Sequence, residues 1–150
     1  MRIDLVPFLP CLAVEALRYT LAYESSTTLR LTVQLKGSIA SELEDVTQVG
    51  QREFGLWQHN CFELFLGEPG SAAYWELNLA PNGNWNCFGF NDYRQNQKES
   101  DRCAVTEFSA VCRGLDYQLE AQILTKPPLR SSGSALSLGA AAIIETANDL

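Results

Sequence analysis

The chain has 150 residues, of which 46% are hydrophobic and 19% charged, and it carries a net charge of −7. That length is most simply one domain, residues 1–150, with enough apolar content for a core that needs no staples. Lys and Arg are scattered singly, which argues against nucleic acid and anionic membrane partners, since both are gripped by clustered positive charge.

The opening stretch "MRIDLVPFLPCLAVEALRY" is apolar in flavour, but Asp4, Pro7 and Pro10 interrupt it. No clean apolar core precedes a small-residue cleavage site, so it does not read as a signal peptide. No run approaches the roughly 20 apolar residues that span a bilayer. "LRYTLAYE" reads as a strand and "SSTT" as a turn into "LRLTVQLKG". That second strand puts Leu29, Leu31, Val33 and Leu35 on one side and Arg30, Thr32, Gln34 and Lys36 on the other. Such alternation is the mark of a half-buried strand.

"SIASELEDVTQV" is the best helical candidate. Ser38 or Ser41 would cap it, and Glu42, Glu44 and Asp45 suit the positive end of a helix dipole. Its apolar positions are sparse, so a loop with a single helical turn is an equal alternative. The whole connection from Gly37 to Gln58 is long for a compact domain, a length typical of functional lids or of disorder.

Two strands come next, "HNCFELFL" and "YWELNL", separated by "GEPGS". "APNGN" then leads into "NWNCFGF"; Asn-Gly accepts positive φ at low cost, making this the strongest hairpin signal in the chain. "NDYRQNQKES" is a polar loop, "CAVTEFSAVC" a strand, and "CRGLDY" a turn through Gly114 into the alternating "YQLEAQIL". "ALSLGAAAIIET" is a final extended run, weakened as a strand by its alanines. About eight strands with turns between them predict an all-β fold, an antiparallel β-sandwich or barrel.

The cysteines are Cys11, Cys61, Cys87, Cys103 and Cys112. Their number is odd, none forms a Cys-x-x-Cys pair, and His59 is the sole histidine. Zinc sites need such clusters, so no metal is expected. The thiols read as small buried apolar groups, with a disulfide such as Cys61–Cys87 left open. A soluble protein of a reducing, cytoplasmic compartment is the expectation.

The chemistry concentrates in the central meander. Phe62, Leu64 and Leu66 point one way, as do Trp75, Leu77 and Leu79, and both sets belong in the core. The opposite face then gathers His59, Cys61, Glu63 and Phe65 beside Tyr74, Glu76 and Asn78. Trp57, Trp85, Tyr93 and Arg94 stand just outside. Antiparallel sheets commonly wet one side, and a solvated outer face is one reading of this set. Carboxylates and an amide beside aromatic rings are also what a carbohydrate site needs: bidentate partners for hydroxyls and a platform for the C–H face of the sugar. The expected ligand-binding residues are therefore Trp57, His59, Glu63, Tyr74, Glu76, Asn78, Trp85 and Arg94. Glu63 and Glu76 are spaced as an acid–base pair could be. With no G-x-S-x-G or other nucleophile motif, a non-catalytic binding domain is favoured over an enzyme. A protein-interaction module is a further alternative, since aromatic-rich faces also bind partners.

The stretch from Gly55 to Arg94, with "LWQH-x-CFE", "YWE-x-N-x-P-x-G-x-W" and "F-x-x-YR", resembles the DOMON-like proteins of the family 9 carbohydrate-binding-module type. The flanking strands, from "IDLVP" to "AIIE", agree more loosely. The resemblance implies a jelly-roll-like β-sandwich and a sugar or haem ligand; the branch is largely of unassigned function. Haem-binding members resemble one another in supplying axial Met with His or Lys. This chain has only Met1 and His59 of the first two, so haem is the runner-up. Relatives also continue past "AIIE" into an aromatic strand and a His-rich tail, whereas this sequence stops at Leu150; a shortened chain or an absent edge strand are the two expectations.

Overall fold

The period-2 alternation becomes two antiparallel sheets packed face to face, in a computed structural model that describes residues 1–7, 11–126, 128 and 137–146. In the first sheet β1 (Arg2–Leu5), β2 (Ala16–Tyr23), β3 (Thr28–Lys36), β9 (Asp116–Thr125) and β8 (Cys103–Arg113) lie side by side in the order β1-β2-β3-β9-β8. In the second the order is β10-β4-β5-β6-β7, formed by β10 (Ser137–Ile143), β4 (Cys61–Gly67), β5 (Tyr74–Leu79), β6 (Trp85–Phe90) and β7 (Lys98–Glu99). The expected β-sandwich is therefore present. It has ten strands among the described residues rather than about eight. The surplus includes β7, a two-residue strand inside the "NDYRQNQKES" stretch read as a loop, where Phe88 pairs with Glu99 and Gly89 with Lys98. Two polar residues carry no alternation, so sequence pattern has nothing to register there. The final extended run is β10; its first residues, Ala135 and Leu136, and likewise Pro10 near the start, lie outside the described residues.

Inner faces hold the expected apolar sets. Leu29, Leu31, Val33 and Leu35 of β3 and Phe62, Leu64 and Leu66 of β4 are all buried, as are Leu77 and Leu79. Each such side chain contributes about 1.5–3 kcal/mol by leaving water. Two contacts tie the sheets across the core: Phe62 stacks on Tyr117 at 5.9 Å, and the Tyr19 hydroxyl donates to the Ala141 carbonyl at 2.7 Å. The five cysteines are free. Cys61 packs with Leu56 and Ala80 on the outer side of the second sheet, whereas Cys87 sits in the central core beside Cys103. Cys61 and Cys87 thus point to opposite sides of one sheet, which rules out the disulfide left open between them.

The segment between β3 and β4 carries the chain from one sheet to the other. Its helical candidate is a single 3-10 turn, Ser38–Glu42, that buries only Ile39 and Ala40. Neither Ser38 nor Ser41 caps it; the Ser41 hydroxyl donates to the Ser38 carbonyl instead, at 2.7 Å. With two buried residues there is no apolar stripe to support further turns. The chain then bridges the sheets. Val46 pairs with Ala110 of β8, Arg52 bridges to Trp85 of β6, and the Glu53 N–H donates to the Trp85 carbonyl at 2.9 Å. It ends in a second 3-10 turn, Leu56–Gln58, that carries Trp57 over the outer face of the second sheet. The hairpin predicted at "APNGN" is formed, with Gly83 at φ 94 and its N–H donating to the Ala80 carbonyl at 3.0 Å.

Candidate functional site

Register decides which side chains meet on the outer face of the β10-β4-β5-β6-β7 sheet. Glu63 of β4 lies opposite Asn78 of β5, and Phe65 lies opposite Glu76. On the next strand Asn86 lies opposite Asn78, Phe88 opposite Glu76, and Phe90 opposite Tyr74. On the other flank β10 offers only Ala141 and Gly139 beside Glu63 and Phe65. Glu63 and Glu76 are therefore diagonal neighbours, a relation that ordinarily separates residues by about 7–8 Å. Glu63 shares a polar cross-strand row with Asn78 and Asn86, while Glu76 stands between Phe65 and Phe88 in the next row. Phe90 stacks on Tyr74 at 4.8 Å with planes 6° apart, and Phe65 tilts against Tyr74 at 6.3 Å. Trp57 meets Phe88 edge-on at 5.5 Å, and Phe54 closes the cluster at 5.0 Å from Trp57 and 5.8 Å from Phe88. Arg94 stands at the rim: its backbone N–H donates to the Tyr74 hydroxyl at 3.0 Å, and its guanidinium lies 5.1 Å above the Tyr93 ring.

Electrostatics set these carboxyls apart from ordinary surface acids. Burial, and then the neighbouring Glu76, push the Glu63 carboxyl up to about 7, with Arg94 pulling weakly the other way. Burial also raises Glu76 above the usual carboxylate range, tempered by the Asn78 amide and by Arg94. The Cys61 thiol is raised by burial and by Glu63, which makes it inert.

The most unusual group is Asn78. It is fully buried, yet neither its Oδ1 nor its Nδ2 has a hydrogen-bond partner. Its amide acts on the Glu76 carboxyl from outside hydrogen-bonding geometry. Leaving a buried amide unpaired costs about 1–3 kcal/mol, so such a group calls for a specific explanation. Its cross-strand neighbour Asn86 is just as buried but fully paired. Asn86 Oδ1 accepts from Arg52 Nε and from the Cys87 N–H, both at 2.8 Å, and Nδ2 donates to Glu99 at 2.9 Å.

Of the residues expected from sequence, the structure brings Trp57, Glu63, Tyr74, Glu76, Asn78 and Arg94 to this face. It separates the other two, Trp85 and His59. Trp85 lies opposite Leu79, which turns its ring inward against the core, with the Arg52 guanidinium 5.3 Å from the ring. His59 precedes β4, so strand parity does not govern it; its ring is 76% exposed and its Nδ1 is 3.0 Å from Glu145 Oε1. It lines a separate acidic cleft of about 540 Å³ with Glu42, Glu44 and Glu53. Sequence reasoning missed Phe88, Phe90 and Asn86. Counting alternation back from Leu79 through the hairpin would have found them, had the loop length fixed the register. It also missed Phe54, which has no periodic neighbour to mark it. Among the described residues no group of three or more His, Cys, Asp or Glu is placed to hold a metal ion.

No family model matches the chain. No curated protein matches it either. Among solved structures, a crystal structure of a protein from Bacteroides uniformis, provisionally described as carbohydrate-binding, matches with a TM-score of 0.52 at 14% identity. The match covers 79% of this chain, which spans only 57% of that one. At that identity the likeness concerns the fold alone.

Proposed function

We propose that the outer face of the β10-β4-β5-β6-β7 sheet binds a small polyhydroxylated ligand, a carbohydrate first of all, without catalysing a reaction on it. The observation that carries this is the Asn78 carboxamide, buried and unpaired between two half-buried glutamates. Both atoms are closed off in the free protein; once the side chains over them part, a vicinal pair of sugar hydroxyls supplies what that amide lacks, one acceptor for Nδ2 and one donor for Oδ1. The carboxyls take further hydroxyls, while Trp57 and the Phe65–Tyr74–Phe90 cluster present apolar surface to sugar C–H groups. The fold shared with a provisionally carbohydrate-binding protein supports the reading weakly. So does the motif resemblance to DOMON-like proteins of the family 9 binding-module type; on this reading the domain works in the cytoplasm. Haem fits the residues less well, because His59 stands away from the face, paired with Glu145.

A glycan array followed by calorimetry tests the proposal, with Glu76→Ala and Asn78→Ser as variants and circular dichroism as the control for folding. A sugar bound by the parent and lost in both folded variants is the expected result. A sugar bound equally by all three proteins, or by none, ends the proposal.

A further inference from the structure

We infer that the ligand this face is built for carries a protonated amine beside its hydroxyls, as a hexosamine does, with the ammonium seated between Glu63 and Glu76. The inference rests on the carbohydrate reading and narrows it. Its first ground is charge balance. The face holds two half-buried carboxyls, and the cation nearest them, Arg94, lies over Tyr93 rather than in an ion pair with either, among the described residues. Arg94 lowers both acids, yet burial outweighs it at each. A neutral sugar would deepen that burial and leave the like charges facing each other. An ammonium would offset both, and would form charge-assisted hydrogen bonds stronger than those to a hydroxyl.

The second ground is the surroundings. Phe65 and Phe88 stand on either side of Glu76, with Trp57 against Phe88 and the Tyr74–Phe90 stack in the next row, and aromatic rings attract a cation. The third is Asn78, whose free Oδ1 and Nδ2 lie directly across from Glu63. With an ammonium drawing the acids aside, the amide, closed off in the free protein, is opened to an adjacent hydroxyl. A ligand with neighbouring amine and hydroxyl groups matches that juxtaposition, and an amine or a hydroxyl alone does not. Seating the ammonium also favours the ionised form of Glu63, so near neutral pH binding expels a proton to solvent.

The experiment is calorimetry on the whole chain near pH 7 with glucosamine, galactosamine and mannosamine, each against its parent hexose and its N-acetyl derivative. One or more hexosamines should bind at least about ten-fold tighter than its neutral counterparts, the scale of a hydrogen bond to a charged group. Repeating the titration in buffers of different ionisation enthalpy should show proton release for the hexosamine and not for the hexose. The Glu63→Gln/Glu76→Gln double variant should lose the amine preference while keeping weak sugar binding. Equal affinity for hexose and hexosamine would overturn the inference and leave the carbohydrate reading standing. A preference retained in the folded double variant would overturn it too, moving the cation to the acidic cleft beside His59. Failure of every sugar to bind would remove both.

Discussion

The two sheets of the sandwich have outer faces built from the same alternation and to opposite effect. On the β1-β2-β3-β9-β8 sheet the polar side chains satisfy one another. Arg30 reaches Glu24 at 2.9 Å and Glu107 at 3.1 Å, Gln34 donates to Gln118 at 3.2 Å, and Gln122 donates to Glu24 at 2.9 Å. Arg18 holds Asp4 at 2.7 Å. On the other sheet the polar groups are more deeply buried and incompletely paired, and aromatic rings crowd around them. A face whose donors and acceptors already cancel needs only water above it. A face that buries an unpaired amide between two destabilised acids gains from being covered.

The largest expected effect breaks that comparison through binding. Replacing Glu76 by Ala should weaken the ligand by about 10- to 150-fold, since hydrogen bonds to charged groups contribute about 1.5–3 kcal/mol. Replacing Glu107 on the other sheet should leave affinity unchanged. Parallel titrations of the two variants decide it; a loss of affinity in Glu107→Ala would mean the faces had been assigned the wrong way round.

Stability should shift in the opposite sense at Asn78. Asn78→Leu removes a buried, unpaired amide and fills similar volume with apolar atoms, so urea denaturation should find the free protein about 1–2 kcal/mol more stable while binding is abolished. Stability gained as function is lost is the expected pattern for a site group held ready for a partner. A destabilised Asn78→Leu would show that the amide is satisfied in the free protein, by ordered water for instance.

The pH dependence sharpens the same contrast. The folded Glu63 carboxyl lies at about 7, above its ordinary value of 4.5, so between those values the native state holds more protons than the unfolded chain. Stability is then fully present below pH 4.5 and falls as pH rises to 7, by about 1–2 kcal/mol once solvent screening is allowed for. Glu63→Gln should flatten that slope. On the other sheet Arg18 and Arg2 hold Asp4 below its ordinary range, and Gln122 and Arg30 do the same to Glu24. Their contribution has the opposite sign: present above the unfolded pKa and lost as pH falls through the folded one. Unfolding midpoints measured from acid to neutral pH, in the parent and in Glu63→Gln, separate the two trends.

How much of this is legible in the sequence depends on what period 2 can and cannot encode. "CFELFL" and "YWELNL" fix their own faces, because each core side chain determines the next outward one; hence Glu63, Glu76 and Asn78 share a side in the sequence pattern and in the register alike. The rule fails at a loop. Trp85 comes after a five-residue turn, and its face depends on the pairing of Leu79 with Trp85, which sequence does not state. His59 fails for a related reason, since it stands before β4 begins, where the backbone leaves a 3-10 turn. Trp57 reaches the face by a route with no local signature: the path of residues 46–53 along β8 and β6, a set of long-range pairings, carries it there.

The smallest expected effect lies in the ion pairs of the β1-β2-β3-β9-β8 sheet. Arg30 bridges Glu24 and Glu107, but its side chain is 30% exposed and those of its partners are 36% and 60% exposed. Water screens such pairs and competes for their hydrogen bonds, so exposed pairs are typically worth at most about 1 kcal/mol. Arg30→Ala should therefore cost about 0.5 kcal/mol or less per pair by chemical denaturation, a cost that shrinks further in high salt. A double-mutant cycle between Arg30 and Glu107 isolates the coupling from the other contacts of each side chain. Glu24 is the less suitable partner for that cycle, because it also accepts from Gln122, and its removal would strand a second donor. A coupling well above 1 kcal/mol, unmoved by salt, would mean that this face is rigid and dry rather than solvated. The contrast between the two sheets would then rest on the aromatic rings and Asn78 alone.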